Sequence, residues 1–144
     1  EARQAIDNAV ITILLNKHQS QNLDLSAIDD LISEEKRLHN TSQNDEHTKL
    51  SCDFHLTLAE LCGNKYIVES LKPLIPLSTL AASVYSNPES SFCSYAEHSD
   101  LIQAIKSNDL NRASRSIKKH LDNCVKSLDF KKTIRNRSYS IIFS

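Results

Sequence analysis

The sequence predicts an all-α protein, a compact antiparallel bundle of six or seven helices joined by short loops. Apolar residues recur at intervals of three and four residues almost throughout the chain, which is the spacing of an amphipathic helix. The chain has one glycine and three prolines among its 144 residues. That is too few for the tight turns of a β-sandwich or barrel, and for a glycine-rich phosphate-binding loop. A hydrophobic fraction of 40% and a charged fraction of 24% are typical of one globular domain.

The first three helices follow from their apolar stripes. They are expected over about residues 2–17, 26–38 and, after a polar loop, 47–62. Glu35 is the one charged residue in the stripe of the second helix. Gly63 lies where a helix commonly ends in the left-handed conformation, which explains the single glycine of the chain.

The last three helices are marked by prolines and a cap. The fourth is expected over about residues 64–86, with a kink or break at Pro73 and Pro76. The fifth is expected over about residues 89–106, and the sixth runs from an Asp109 cap to about residue 128. Because the first and fourth helices are apolar on all sides, we expect them to be the buried, central helices of the bundle.

Charge, hydropathy and cysteine spacing exclude several classes of protein. A net charge of -1 argues against a general polyanion binder. No apolar run reaches the roughly 18 residues of a membrane span, so we expect no membrane contact. The four cysteines form no CxxC pair, which predicts a reduced, cytoplasmic protein. Residue 1 is not methionine, so we expect a domain excised from a longer protein, with a helical unit over residues 1–128 and a basic, then apolar tail over 129–144.

Three of the six histidines lie in the apolar stripes of three different predicted helices. His55 lies in the third helix, His98 in the fifth and His120 in the sixth. Each buried imidazole needs a partner, because unpaired burial of a polar group costs about 1–3 kcal/mol. One shared divalent metal would satisfy all three, and neutral imidazole suits zinc, nickel, copper and iron. A polar ligand pocket without a metal, and three unrelated core histidines, are the alternatives.

The residues around these histidines form a pattern in a fixed order. The third helix carries Phe54-His55 and is followed by Gly63-Asn64, and the last two carry Glu97-His98, Ala104-Ile105 and His120-Leu121. Further single positions complete the pattern: Glu1, Arg3, Ile6, Asp7, Asp109 and Ala113. Over about residues 1–128 this resembles the C-terminal ligand-binding domain, the FCD domain, of FadR-type regulators in the GntR superfamily of bacterial transcription regulators.

The resemblance implies a helical bundle with a central cavity that holds a divalent metal and, beside it, a small organic effector, often a carboxylate. It also implies a homodimer, and a winged-helix domain ahead of residue 1 that binds operator DNA. The family's metal ligands carry over to His55, His98 and His120. Zinc or nickel is the expected metal.

The chain departs from the family at the fourth metal ligand. The family has an aspartate one turn before the first histidine, and this chain has Ser51 there. Without that carboxylate, an ion held by three neutral imidazoles keeps a local charge of about +2, which favours an anionic oxygen at the open position. Ser51 itself and Cys52, three residues before His55, are candidates for the fourth ligand. Cys124, one turn after His120, is a weaker candidate.

Three residues are expected to face the effector. The family counterpart of Arg3 faces the cavity, and a guanidinium fork suits a carboxylate. Tyr95 lies one turn before His98 on the same helix face. Ser51 lies beside the open metal position.

Three functions are consistent with these sequence features. The first is an effector-sensing and dimerisation domain of a transcription regulator, and the second is a metal-free helical ligand-binding or adaptor domain. The third is a three-histidine metal hydrolase, in which metal-bound water is the nucleophile. The hydrolase needs a general base, but Asp53 lies on another face of its helix and Glu97 projects about 100° away from His98. The pattern therefore favours the sensor, which is not an enzyme.

Overall fold

The protein is all-α, as the sequence predicts. A computed structural model describes residues 1–21, 23–39, 41, 44–85 and 95–128. Within these ranges six helices are present and no β-strand is found. Their bounds are α1 (Ala2–Gln21), α2 (Ser26–Leu38), α3 (Asn44–Cys62), α4 (Lys65–Tyr85), α5 (Tyr95–Lys106) and α6 (Leu110–Lys126). None of the described helices is long and apolar enough to cross a membrane.

The helices differ from the sequence prediction mainly at their ends. The prediction for α2 is confirmed at both ends. Helix α1 continues about one turn beyond residue 17, and α3 begins three residues before residue 47. Both extensions are polar and lack glycine or proline, so nothing in their backbone chemistry stops a helix. The expected beginning of the fifth helix, over residues 89–94, and the tail over 129–144 lie outside the described residues.

Helix α4 corrects two expectations. It runs without interruption through Pro73 and Pro76, which excludes the expected break, and the alternative, a kink, stays a prediction. Both prolines are exposed, on a side where carbonyl groups that lose a helical partner are open to water. Leu77 and Leu80 are 64% and 60% exposed, so α4 is a peripheral helix and not a central one.

Helix α1 is the central helix, as predicted. It packs against α3, α4, α5 and α6. Its buried residues Val10, Ile11 and Leu14 join a core to which α2, α3, α4, α5 and α6 all contribute. This arrangement brings one face of α3, α5 and α6 to the same region of the interior.

Two tight turns fix the neighbours of the histidine-bearing helices. Gly63, between α3 and α4, has φ +72°, which confirms the predicted left-handed end of α3. The side chain of Asn64 then accepts hydrogen bonds from the first turn of α4, including one of 3.0 Å from the Tyr66 amide. Between α5 and α6, Asn108 has φ +55° and Asp109 caps α6 by accepting from the Arg112 amide at 2.9 Å. Short connections of this kind hold consecutive helices antiparallel.

Candidate metal centre

Three imidazole rings meet in the interior of the bundle. His55 comes from α3, His98 from α5 and His120 from α6, and their exposed fractions are 2%, 0% and 1%. The Nε2 atom of His120 lies 3.1 Å from Nε2 of His55 and 3.4 Å from Nε2 of His98. One ligand nitrogen from each ring lies within 4.8 Å of the other two. The three residues that the sequence singles out are therefore brought together.

The Nδ1 atoms of two of these rings are held by carboxylates. Nδ1 of His98 bonds to Oε2 of Glu35 at 2.7 Å, and Nδ1 of His120 bonds to Oε2 of Glu97 at 2.9 Å. An ionised carboxylate only accepts hydrogen bonds. The pKa of Glu97 lies below its usual value, so Glu97 accepts from Nδ1 of His120, and Nε2 of that ring presents a lone pair towards the other two rings. The ionised form of Glu35 accepts from Nδ1 of His98 in the same way. Where two such Nε2 lone pairs face each other they repel, and a shared cation removes the repulsion.

Two of the three nitrogen separations match those around one shared ion, and all three lie within 4.8 Å. Zinc binds imidazole nitrogen at about 2.0–2.1 Å. Two nitrogens bound by one such ion lie about 2.9 Å apart at a right angle and about 3.4 Å apart at a tetrahedral angle. The observed separations of 3.1 Å and 3.4 Å fall in that interval. Carboxylate–histidine pairs of this kind are also the usual support of metal-bound imidazoles. The residues present thus fit the metal that the sequence resemblance implies.

Phe54 holds two of the three rings in place. Its ring stacks on the His98 imidazole, with centroids 3.9 Å apart and planes 12° from parallel. It also meets the His55 ring in a T-shaped contact, with centroids 5.3 Å apart and planes at 84°. Phe54 is completely buried, so it cannot move away without opening a cavity. Phe54 therefore fixes the orientation of imidazoles that come from two different helices.

The surroundings favour the neutral, metal-binding form of His55. Burial lowers the pKa of His55 well below its ordinary value, and the charge of Arg3 and the neighbouring His120 and His98 lower it further. A neutral imidazole has a free lone pair, and a protonated one has none. His55 is therefore ready to bind a metal at neutral pH without first losing a proton.

The two carboxylates differ from each other. Burial raises the pKa of Glu35 to about 7, although His47 and His120 act to lower it. Its second oxygen, Oε1, is buried and has no hydrogen-bond partner. Burial also acts to raise the pKa of Glu97, but hydrogen bonds from His120 and Asn123 outweigh it and keep that pKa below its usual value. Only Glu97 is therefore a fully satisfied carboxylate.

Arg3 lies at the edge of this centre. Its Nε donates to Oδ2 of Asp7 at 3.2 Å, and its Nη1 donates to the hydroxyl of Ser78 on α4. The Arg3 side chain is mostly buried, so it is not a solvated residue at a helix end. Burial raises the pKa of Asp7, and the charge of Arg3 only partly opposes this. Because Arg3 also lowers the pKa of His55, its charge acts directly on the histidine centre.

The remaining candidates are Ser51, Cys52, Cys124 and Tyr95. Ser51 is buried one turn before His55, as its spacing predicts. Cys52 is half-buried and is not one of the described residues whose ligand atoms converge. The Sγ atom of Cys124 lies 3.8 Å from Nε2 of His120. Tyr95 is half-buried, and its ring meets His39 edge-on at 5.0 Å.

The sequence does not predict that Glu35 and Glu97 form hydrogen bonds with the histidines. Glu97 projects away from His98, as expected, but α5 packs on α6 and so Glu97 reaches His120. Two carboxylates therefore contact the histidines, although neither Asp53 nor the spacing of Glu97 from His98 indicates one there. For Glu35 a signal was present, since it is the single charged residue in an otherwise apolar stripe.

Comparison with families of known proteins finds one whose model matches residues 1–123, described as the FCD domain. Comparison with curated proteins finds no match, and neither does comparison with solved structures.

Proposed function

The chain belongs to the FCD domain family, the C-terminal domains of GntR-family regulators, and on that premise we propose that it senses a small organic acid next to a divalent metal. The observation that carries the proposal is the convergence of three imidazole nitrogens from three helices. The metal, zinc or nickel, is held by His55, His98 and His120. Bound there, it supplies a positive charge that attracts an anionic oxygen.

Arg3 is the second anchor of the effector. Arg3 is the second residue of the central helix α1, and its charge acts on the histidine centre. A carboxylate effector placed between the metal and Arg3 competes with Asp7 and Ser78 for the guanidinium. Ser51, one turn from His55, lies on the same side of α3 and is proposed to contact the effector or the metal. Tyr95 stays a prediction as an effector contact.

The bond between Arg3 and Ser78 suggests how binding is transmitted. It joins α1 to α4, two helices that also pack against each other. An effector that takes the guanidinium away from Ser78 changes the link between these helices. Such an effector shifts the domain only by as much as its affinity differs between the two arrangements. In the whole regulator, proposed to be a cytoplasmic homodimer with an N-terminal winged-helix domain, this shift alters the binding of operator DNA.

The sensor is favoured over a hydrolase by the placement of the carboxylates. Glu35 and Glu97 both contact histidines at Nδ1, the side away from the converging Nε2 atoms. This is the position of a group that orients a ligand, and a base acting on bound water would lie on the other side.

Calorimetric titration of the zinc-loaded domain with small mono-, di- and tricarboxylates tests the proposal. We expect at least one to bind saturably, and to bind at least tenfold more weakly when the metal is removed or when Arg3 is replaced in Arg3→Gln. Arg112→Gln is the matched control, because Arg112 is a half-exposed arginine paired with Asp100 on the surface. Equal binding to the metal-free domain and to both variants would contradict the proposal.

A further inference from the structure

Glu35 is a carboxylate in a place where folding alone favours an apolar residue. It lies on the buried face of α2 with Ile28 and Leu38, and its exposed fraction is 0%. A buried carboxylate is costly unless hydrogen bonds or opposite charges satisfy it. Oε1 of Glu35 has no partner, so this carboxylate is only half satisfied. The residue therefore destabilises the domain when no other charge compensates for it.

The hydrogen bond between Glu35 and His98 indicates the role of this carboxylate. Oε2 contacts Nδ1 of His98 at 2.7 Å, on the opposite side of the ring from Nε2. Phe54 stacks on the same ring and keeps it from turning away. A negative charge at Nδ1 makes Nε2 a stronger electron-pair donor. The charge of Glu35 is thus transmitted to whatever Nε2 binds.

The described ligand group lacks a negative charge of its own. The side chains whose ligand atoms all lie within 4.8 Å of one another are three histidines. An ion with a charge of +2 among three neutral ligands, in a buried site, needs a compensating charge nearby. Glu35 is the fully buried carboxylate that touches this group.

We propose that Glu35 is a positioning residue for the metal, which supplies through His98 the negative charge that the three histidine ligands lack, and which destabilises the domain when the metal is absent. The inference rests on metal binding at the histidines, as proposed above. It goes further by assigning opposite effects to one residue, since Glu35 strengthens metal binding and weakens the metal-free fold. A residue with a purely structural role would not show this opposition.

Glu97 and Glu34 provide the comparisons. Glu97 also contacts a histidine at Nδ1, but Asn123 donates to its other oxygen at 2.6 Å, so it is satisfied without a metal. Replacing Glu97 therefore lowers the stability of the metal-free domain. Glu34 precedes Glu35 on α2, is half-exposed and pairs with Arg37 at 2.8 Å. Glu34→Gln controls for a change of charge on the same helix.

The test uses untagged wild-type domain and the variants Glu35→Gln, Glu34→Gln and Glu97→Gln. Metal is removed with a chelator, the Tm of each metal-free protein is measured, and zinc affinity is determined by competition with a chelating dye. For Glu35→Gln we expect a loss of zinc affinity of about 10- to 100-fold, with a metal-free Tm equal to or above that of the wild type. Glu34→Gln should change neither value, and Glu97→Gln should lower the metal-free Tm.

A second variant separates charge from local structure. Residue 51 lies one turn before His55 on α3, so Ser51→Asp places a carboxylate beside the same centre. The double variant Glu35→Gln, Ser51→Asp should bind zinc at least tenfold more tightly than Glu35→Gln alone. Wild-type zinc affinity in Glu35→Gln would overturn this inference while leaving the metal site intact. A lower metal-free Tm in Glu35→Gln would also overturn it, and a wild-type domain that binds no zinc would overturn the proposed function as well.

Discussion

Replacing Phe54 by leucine tests whether stacking on His98 holds the metal centre together. Phe54 is completely buried and lies parallel to the imidazole at 3.9 Å. Leucine keeps an apolar side chain of similar length in the core. It removes the flat surface that prevents the His98 ring from turning, and with it the edge contact to His55. The change therefore loosens two ligands without touching either of them.

The size of the effect follows from these contacts. The smaller side chain leaves a cavity, which costs about 1 kcal/mol at a site that partly collapses. The lost ring pair adds about 0.5–1.5 kcal/mol beyond burial. Together this lowers the Tm by about 3–10 °C for a domain of this size. Losing the contact between the Phe54 and His98 rings also weakens zinc binding. The loss of about 0.5–1.5 kcal/mol corresponds to about 2- to 12-fold in affinity, since 1.4 kcal/mol is tenfold.

Thermal unfolding and chelator competition on the same protein samples measure both effects. Ile11→Val is the control, because Ile11 is a buried residue of the central helix and its shortening costs about 0.5–1.5 kcal/mol. We expect Ile11→Val to lose stability and keep its zinc affinity, and Phe54→Leu to lose both. Equal zinc affinity in the two variants would refute the view that Phe54 positions the histidines.

Substitutions at two further positions test the turns and contacts that hold the site-bearing helices. Asp100 on α5 accepts hydrogen bonds from Ser116 and Arg112 on α6, which hold the pKa of Asp100 below its ordinary value of 3.8. The ionised Asp100 therefore stabilises the folded domain above about pH 4, and this stabilisation is lost as the pH falls through the lowered pKa. Asp100→Asn should lower the free energy of unfolding by less than about 1 kcal/mol at neutral pH and should not change it in strong acid. Denaturant unfolding at both pH values measures this, and a difference that grows with acidity would contradict it. Gly63→Ala should lower the free energy of unfolding by about 1–2 kcal/mol, because φ at this residue is +72°, and Gly63→Asn should lower it less. Equal stability of the wild type and both variants would contradict the left-handed turn.

Helical spacing was sufficient to find the three histidines. A period of 3.6 residues places His55, His98 and His120 on the buried sides of their own helices, and three buried imidazoles in one small bundle have few other partners. The sequence does not show which helix packs against which. The contacts of Glu35 with His98 and of Glu97 with His120 both join different helices, so no spacing within one helix reveals them.

For helix α4 the sequence predicts more burial than the structure shows. Its apolar composition predicts burial, but composition alone does not say whether an apolar face has a partner. In the structure α4 packs against α1 and α3, and Leu77 and Leu80 stay exposed. The two prolines predict a kink or a break, because each removes a helical hydrogen bond. Their exposed position lets the helix continue.

The metal content of the untagged domain tests the central claim most directly. Elemental mass spectrometry after incubation with zinc or nickel and removal of free metal counts the bound ions. The structure predicts about one divalent ion per chain, lost in His98→Ala and kept in His18→Ala, whose histidine lies near the end of α1. No bound metal in the wild-type domain, or equal metal in His98→Ala, would contradict the claim that the three buried histidines form a metal site.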